Sequence, residues 1–225
     1  MKRRFPLVSA VTALAVVATA ACATATPSSG AVRPATGDQA TPSPATSITA
    51  DSSRATYAAG DVRFMTGMIH HHAQAVLMAG WAPTHGASQA VRAMCERIVV
   101  GQHDEIALMQ RWLRERHEAV PEAEASHDMR PGMDHSRMMP GMLTAEQLAQ
   151  LDGARGPEFD RLFLRFMIRH HQGAITMVDQ LFGSQGAGEE EAVFRIASDV
   201  YADQSTEIDR MQKMLAALLF EGGSQ

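Results

Sequence analysis

Apolar and polar residues alternate with a helical period over most of the chain after residue 57. Apolar side chains recur there every three or four positions, which predicts amphipathic α-helices. The main helices are predicted over residues 57–82, 87–118, 157–182 and 189–220. Thr144 and Gln147 stand at capping-box spacing and predict a further short helix before the third main helix. No stretch alternates as a β-strand does, so we expect an all-α fold.

The helical region contains an internal duplication. Residues 68–78 (MIHHHAQAVLM) align without gaps with residues 167–177 (MIRHHQGAITM), and residues 102–109 (QHDEIALM) align with residues 204–211 (QSTEIDRM). Each copy is a helical hairpin that cannot cover its apolar face alone. Two such duplicated hairpins predict a four-helix bundle.

The three consecutive histidines of the first copy do not share one face of their helix. Each residue advances a helix by about 100°, which places His71 and His72 within about 80° of Met68. His70 lies about 200° away, and the second copy has Arg169 in its place. We therefore expect His71 and His72 to face the bundle interior and His70 to face solvent.

Polar residues interrupt the apolar stripes of the second and fourth main helices at matching places. These residues are Gln102, Glu105, Gln204 and Glu207. A buried polar group without a partner costs about 1–3 kcal/mol, so the inward histidines are the expected partners. Carboxylates that accept from an imidazole N–H fix the ring toward a metal ion, and we assign the four residues this supporting role. A His–Glu network in a metal-free bundle is the alternative.

Methionine accompanies the inward histidines in both copies. The candidate metal ligands in the helices are Met68, His71, His72, Met78, Met109, Met167, His170, His171, Met177 and Met211. A single methionine at helical spacing more often fills a core than binds a metal. The recurrence of the whole pattern in both copies favours a metal site.

Residues 127–142 join the two copies and are rich in methionine and histidine. The candidate ligands are His127, Met129, Met133, His135, Met138, Met139 and Met142. Pro-Gly pairs break the segment, so we expect an exposed loop rather than core. Thioether sulfur suits Cu(I), and imidazole suits both Cu(I) and Cu(II), which makes the loop a candidate copper site. A methionine-rich adhesive or oxidation-scavenging surface is the alternative.

The first part of the chain predicts export. Residues 1–22 combine a basic start, a short apolar run and small residues, as in a secretory signal peptide. Residues 19–22 (TAAC) resemble a bacterial lipobox with Cys22 as the lipidated residue; ordinary cleavage at a nearby A-x-A is the alternative. Residues 23–54 are rich in Ala, Thr, Ser and Pro and predict a disordered tether, which leaves 55–221 as the bundle domain. We expect an extracytoplasmic lipoprotein, in the periplasm or on the outer face of the cell membrane.

Charge and cysteine content argue against several other classes of protein. The formal net charge is −5 and no basic stripe is present, so nucleic acid is not an expected partner. Cys95 is the one cysteine after the leader, so we expect no internal disulfide; it faces inward as core or, alternatively, as a ligand. Paired Glu-x-x-His motifs, His-Glu-x-x-His and a recognisable nucleophile triad are absent from the sequence. We expect no enzymatic activity.

These motifs resemble those of a known family. The segments MIHHHAQAVLMA, QHDEIALMQRWL, FMIRHHQGAITM and QSTEIDRMQKML are similar to the two-copy signature of the domain-of-unknown-function 305 family, over about residues 57–219. The resemblance implies a small exported bacterial protein with a ferritin-like four-helix fold, and it implies copper binding, since some members bind copper. It carries the helix ligands and the four Gln and Glu residues onto this chain as site residues. Met214 stands where the first copy has Trp112, which argues against identical sites in the two halves.

The residues and the resemblance together favour an exported, membrane-tethered copper protein that sequesters or passes on Cu(I) or Cu(II). Copper is the expected bound ion. A metal-accepting protein or a second copy of the chain is a candidate partner beside the membrane. Two other classes stay open: a metal-free structural or partner-binding bundle, and a redox enzyme with a metal in the bundle, which lacks the carboxylates it would need.

Overall fold

The computed structural model describes residues 57–123 and 139–222, which form five α-helices and, within those stretches, no β-strand. The helices are α1 (Ala59–Gly80), α2 (Gln89–Glu115), α3 (Ala145–Gly153), α4 (Pro157–Phe182) and α5 (Glu191–Gly222). The predicted all-α fold is confirmed. In these stretches no helix combines the length and hydropathy needed to cross a membrane. The predicted leader 1–22, tether 23–54 and loop residues 127–138 lie outside the described residues.

The helix ends follow from residues that the sequence provides for capping. The Thr144 hydroxyl accepts from the Gln147 backbone N–H at 3.3 Å, and the Gln147 side-chain oxygen accepts from the Thr144 N–H at 3.0 Å. This capping box begins α3 as predicted. Pro157 occupies the first turn of α4, where its missing N–H leaves no helical bond unmade. α2 ends three residues before the predicted end, because His117 takes a left-handed φ of 58°.

Four of the five helices pack as two hairpins, with α1 along α2 and α4 along α5, and α3 contacts α1 and α4. The hairpins meet where α1 lies against α4. These two helices run antiparallel, because Met68 shares one core cluster with Met177, whereas Met78 shares the other with Met167. We call them the first and the second core cluster. α2 and α5 touch over a much shorter length, which leaves a groove between them.

Two buried aspartates tie each hairpin to the turn of the other. Asp61, in the first turn of α1, accepts from the backbone N–H of Ala58 at 2.8 Å and of Gly188 at 2.7 Å. Asp160, in the first turn of α4, accepts from the Ser88 N–H with both carboxylate oxygens at 3.2 Å. Hydrogen bonds to a carboxylate are stronger than neutral ones, so these contacts fix the two inner helices side by side.

Residues 139–143, which we call the loop end, belong to the bundle, and this corrects the expectation of an exposed segment. Met142 is 9% exposed, and Met139 packs half-buried against the first core cluster. The physical reason is a glycine in α4. A Cβ at Gly173 would lie 2.0 Å from the Pro140 carbonyl oxygen, so the two backbones touch where a side chain is absent. The methionines of the loop end therefore reach the core.

Candidate metal centre

Four histidines form a layer in the middle of the bundle. His71 and His72 project from α1, His170 and His171 project from α4, and each is 0% exposed. The rings of His71 and His170 lie against each other across the hairpin interface, with centroids 3.8 Å apart and an interplanar angle of 37°. The histidine layer lies between the two core clusters, because each pair is flanked by methionines of both along its helix.

Each hairpin joins one of its histidines to a glutamate on its outer helix. His72 Nε2 lies 2.6 Å from Glu105 Oε2, and His171 Nε2 lies 2.7 Å from Glu207 Oε2. Because the carboxylate accepts, Nε2 carries the proton in both rings. A neutral imidazole protonated at Nε2 keeps a lone pair on Nδ1. In both rings Nδ1 is therefore the nitrogen that can coordinate a metal ion.

His71 takes the same form through the loop end. Its Nε2 donates to the Pro140 carbonyl oxygen at 3.0 Å, since a carbonyl oxygen only accepts. Burial lowers the pKa of His71 to about 3, so the ring is neutral at physiological pH. Burial also lowers the pKa of His171, and it lowers the pKa of His170 well below the ordinary value. Neutral imidazole is the form that binds metal ions.

Several polar atoms of this region have no hydrogen-bond partner among the described residues. They are Nδ1 of His71, His72 and His171, both ring nitrogens of His170, both amide atoms of Gln102, Oε1 of Gln204 and Oε1 of Glu105. A buried polar atom without a partner costs about 1–3 kcal/mol. So many of them in one place are the expected mark of a binding site, because cores normally satisfy their polar groups.

Buried methionines lie on both sides of the histidine layer. The first and second core clusters each contribute three of the predicted ligands: Met68, Met109 and Met177; Met78, Met167 and Met211. All are buried, and Met177, at 8% exposed, is the least covered of the six. Met68 and Met167 stand one turn before the histidine pair of their helix. All six thioethers pack as core, and four of them lie on the same helices as the histidines.

The described residues do not form a site of nitrogen and oxygen ligands alone. In residues 57–123 and 139–222, no three His, Cys, Asp or Glu side chains are grouped so as to hold a metal ion. Cys95 is buried as core, and burial raises the pKa of its thiol to about 12, which keeps the sulfur protonated. A structural zinc site needs four such ligands. The donors present, imidazole with thioether, suit a softer ion such as Cu(I) or Ag(I).

The predicted ligands of the loop divide at residue 139. His127, Met129, Met133, His135 and Met138 lie outside the described residues. Met139 lies on the surface of α1, where its Sδ is 3.7 Å from a Cβ built on Gly67. The same Cβ position is 3.3 Å from Met177 Cε. The structure thus brings Met139 beside a methionine of the first core cluster.

Gln74 is a residue of this region that the sequence pattern did not single out. It is 3% exposed, its amide donates to the Leu143 carbonyl at 3.1 Å, and its oxygen accepts from the Leu143 N–H at 2.8 Å. These bonds fasten the loop end over α1. His70, one turn earlier, is half-buried rather than exposed as predicted. The second copy has Gly173 at this position, so the duplication carried no signal for it.

A groove of about 260 Å³ lies between α2 and α5, on the outer side of the two His–Glu pairs. Glu105, Glu207 and Asp203 line it together with Gln102 and Gln204. Burial, and then the negative charges of Glu105 and Glu207, raise the pKa of Asp203. The three carboxylates therefore lie close enough to act on one another. Asp203 was not predicted, because nothing in the sequence shows how far apart α2 and α5 stand.

The chain matches the model of one protein family, described as a domain of unknown function (DUF305), over residues 61–215. None of the curated proteins matches it significantly. The crystal structure of a DUF305 fragment from Deinococcus radiodurans is similar with a TM-score of 0.61 and 27% identity, over 72% of this chain and 98% of that one. A DUF305 protein from Streptomyces coelicolor that is assigned as secreted has a TM-score of 0.59 and 26% identity, over 71% and 93%.

A protein that holds copper is also similar in structure. CopM in its Cu(I)-bound form has a TM-score of 0.53 and 26% identity, over 70% of this chain and 96% of CopM. Its Cu(II)-bound form has a TM-score of 0.55 and 27% identity over the same shares, and CopM has also been solved with Ag bound. The resemblance that the repeated motifs indicate is confirmed, and the chain belongs to the DUF305 family.

Proposed function

We propose that this protein binds copper outside the cytoplasm and holds it as cargo, without catalysing a reaction. The observation that carries the proposal is the set of buried, unpaired imidazole nitrogens between two groups of buried methionines. Imidazole and thioether are the side-chain ligands that copper prefers. The similarity to CopM, which holds Cu(I) and Cu(II), supports the choice of metal.

The histidine layer supplies the ligands, and its neighbours orient them. His71, His72 and His171 each keep an unpaired Nδ1, and both ring nitrogens of His170 are unpaired, so each ring has a lone pair for an ion. No three of these rings are grouped to hold the ion by themselves, so neighbouring thioethers complete the ligand set. Glu105 and Glu207 hold two of these rings through Nε2, and a carboxylate in that position makes the imidazole a better donor. Gln102 and Gln204 line the groove beside these two glutamates. The methionines of the core clusters add thioether donors when the ion is Cu(I).

In the same proposal, the leader directs the protein out of the cytoplasm and the loop delivers the ion to the site. Residues 127–142 capture the ion, and Met139 connects them to the first core cluster. Cys22 carries a lipid that anchors the protein to the membrane through the tether. The similarity to a protein assigned as secreted supports export. The ion is then sequestered or passed to an accepting protein or a second copy of the chain.

One further function is favoured by a specific observation. The bonds of 2.6 Å and 2.7 Å between histidine and glutamate would also stabilise a bundle that holds no metal. Such a bundle would serve as a scaffold or bind a partner protein. It would leave the remaining ring nitrogens of the layer unpaired, which makes copper the better account.

Titration of Cu(I) into the exported chain, residues 23–225, against a competing colorimetric chelator tests the proposal. We expect binding tighter than micromolar. His71→Ala and His170→Ala each remove an unpaired nitrogen from the layer and lower the affinity by about tenfold or more. His70→Ala is the matched control: it removes a neighbouring histidine outside the layer and changes the affinity by less than about threefold.

The same titration separates the alternatives. Binding no tighter than micromolar would end the copper proposal and leave the metal-free bundle in its place. Binding that disappears when residues 127–138 are deleted, and survives His71→Ala, would place the site in the loop alone. Equal losses at His70, His71 and His170 would show that the layer does not distinguish ligand from neighbour.

A further inference from the structure

We propose that the groove between α2 and α5 is the port through which the ion enters and leaves the histidine layer, with Asp203 drawing the cation in. This inference rests on the proposed function. It assigns a route to the ion and a positioning role to a residue outside the ligand set.

The opposite side of the layer, between α1 and α4, is closed. The loop end crosses α4 in backbone contact, since a Cβ at Gly173 would lie 2.0 Å from the Pro140 oxygen and 2.6 Å from the Gly141 Cα. The Pro140 carbonyl is itself bonded to His71 Nε2, and Leu143 is fully buried. An ion that entered on this side would have to displace the loop end.

The side between α2 and α5 is open as far as the two glutamates that bond the histidines. The groove there holds about 260 Å³, and a water molecule occupies about 30 Å³ in the liquid, so a hydrated ion fits. Glu105 and Glu207 line the groove and are bonded to His72 and His171. Each of these histidines is thus separated from the groove by a single carboxylate.

Two amides that line the groove have buried polar atoms without a hydrogen-bond partner among the described residues. Gln102 is 3% exposed and Gln204 is 2% exposed, and both line the groove. The amide nitrogen and oxygen of Gln102 have no hydrogen-bond partner among the described residues, and neither does Oε1 of Gln204. In this proposal these atoms bond the water molecules that accompany the ion.

The charge at the groove favours a cation. Asp203, Glu105 and Glu207 are three carboxylates in one groove, and Arg97 and Arg210 are its two cations. The Arg97 guanidinium contacts Met94 Sδ at 3.2 Å, on its own helix. The charged residues of the groove are negative by one unit in sum, and a net negative charge raises the arrival rate of a cation. Gly101 of the first copy corresponds to Asp203 of the second. The carboxylate therefore lies on the α5 side of the groove, and the α2 side has open space at the matching position.

Stopped-flow mixing of the exported chain with aqueous Cu(II), read by the absorbance of the copper–histidine complex, tests the port. At low ionic strength we expect Asp203→Asn to slow association by about three- to tenfold. Dissociation stays within about twofold of wild type, because a charge that steers the ion acts on its arrival. The difference shrinks as salt is added, because salt screens the field of an exposed carboxylate.

Two further variants complete the test. Asp209→Asn removes the same charge from an exposed position on α5 outside the groove, and it leaves the rate within about twofold of wild type. Gly101→Leu places a side chain in the groove, where a Cβ meets no atom within 4 Å, and slows entry and exit together. Gly80→Leu, at a second site without neighbours, is its control.

The outcomes separate this inference from the function on which it rests. A wild-type chain that binds no copper would overturn both. A chain that binds copper with equal rates for wild type, Asp203→Asn and Gly101→Leu would overturn the port and leave the copper site standing. A dissociation rate that rises in Asp203→Asn while the association rate stays unchanged would make Asp203 a ligand rather than a positioning residue.

Discussion

At His71, burial and one hydrogen bond decide the chemistry of the ring. The Pro140 carbonyl accepts a hydrogen bond from Nε2, and burial lowers the pKa of the ring so that it stays uncharged. In His72 and His171 a glutamate carboxylate accepts from Nε2 instead of a backbone carbonyl. The three rings therefore have the same tautomer although their acceptors differ. The residue type is fixed by the sequence, but its protonation follows from the packing around it.

We expect the metal-free protein to lose stability as the pH falls below about 6.5, the ordinary pKa of histidine. His71, His170 and His171 have lowered pKa values when folded, so the unfolded chain binds protons that the folded chain does not. The free energy of unfolding then falls by roughly 1–2 kcal/mol per histidine between pH 6.5 and pH 5. Above pH 7 both states are neutral, and this contribution disappears. Urea unfolding followed by circular dichroism over this pH range measures it.

Two variants identify the groups responsible for this pH dependence. His170→Leu removes one of the buried rings and reduces the pH dependence by about the share of one histidine. His103→Gln removes an exposed histidine on α2 and leaves the dependence unchanged. A wild-type unfolding free energy that stays constant between pH 7 and pH 5 would contradict the neutral state of the layer.

Among the elements, the loop end has the least regular structure and the tightest backbone contact. It reaches the bundle at Gly173, where α4 has no side chain, and Gln74 of α1 holds it with two hydrogen bonds. One helix supplies the space and the other supplies the bonds. The closed side of the histidine layer depends on both.

We expect Gly173→Ala to separate the loop end from α4. The added Cβ would overlap the Pro140 carbonyl oxygen, and overpacking of this kind costs about 1–3 kcal/mol. Gly101→Ala is the matched control within a helix: its Cβ meets no atom within 4 Å, and alanine stabilises an exposed helix position by about 0.5–1 kcal/mol. Urea unfolding gives both values. Gly173→Ala as stable as wild type would show that the loop end moves aside without cost.

The parts of the site that could be predicted are those determined within one helix. Helical periodicity correctly turned His71, His72, Gln102 and Gln204 inward, because the phase of a helix depends only on local sequence. The loop end could not be placed, because its contact depends on a glycine about thirty residues later in the chain. Gln74 and Asp203 were missed for a related reason: their roles depend on which elements become neighbours.

At the scale of the whole molecule, the two hairpins are joined by reciprocal contacts. The first turn of α1 binds the turn between α4 and α5 through Asp61, and the first turn of α4 binds the turn between α1 and α2 through Asp160. The histidine layer is shared between the hairpins and lies between these two ties. Its geometry therefore depends on both contacts.

The two contacts differ in how much they tolerate. Asp61 uses its two oxygens on two N–H groups, so Asp61→Asn replaces one acceptor with a donor and leaves a buried N–H unmatched. We expect a loss of about 1–3 kcal/mol. Asp160 directs both oxygens at one N–H, so Asp160→Asn keeps an acceptor and costs less. Urea unfolding compares the two, with exposed Asp209→Asn as the control; equal losses for Asp61 and Asp160 would contradict the argument.

The division of the core into two clusters has an optical consequence. The chain has two tryptophans. Trp112 is buried in the first core cluster, and Trp81 packs half-buried against the second. Each side of the histidine layer therefore has its own indole, and a variant that keeps only one tryptophan reports by fluorescence on one set of methionines. An ion that binds nearer to one core cluster would quench the fluorescence of the tryptophan on that side more than that of the other. The two tryptophans thus indicate on which side of the histidine layer the ion binds.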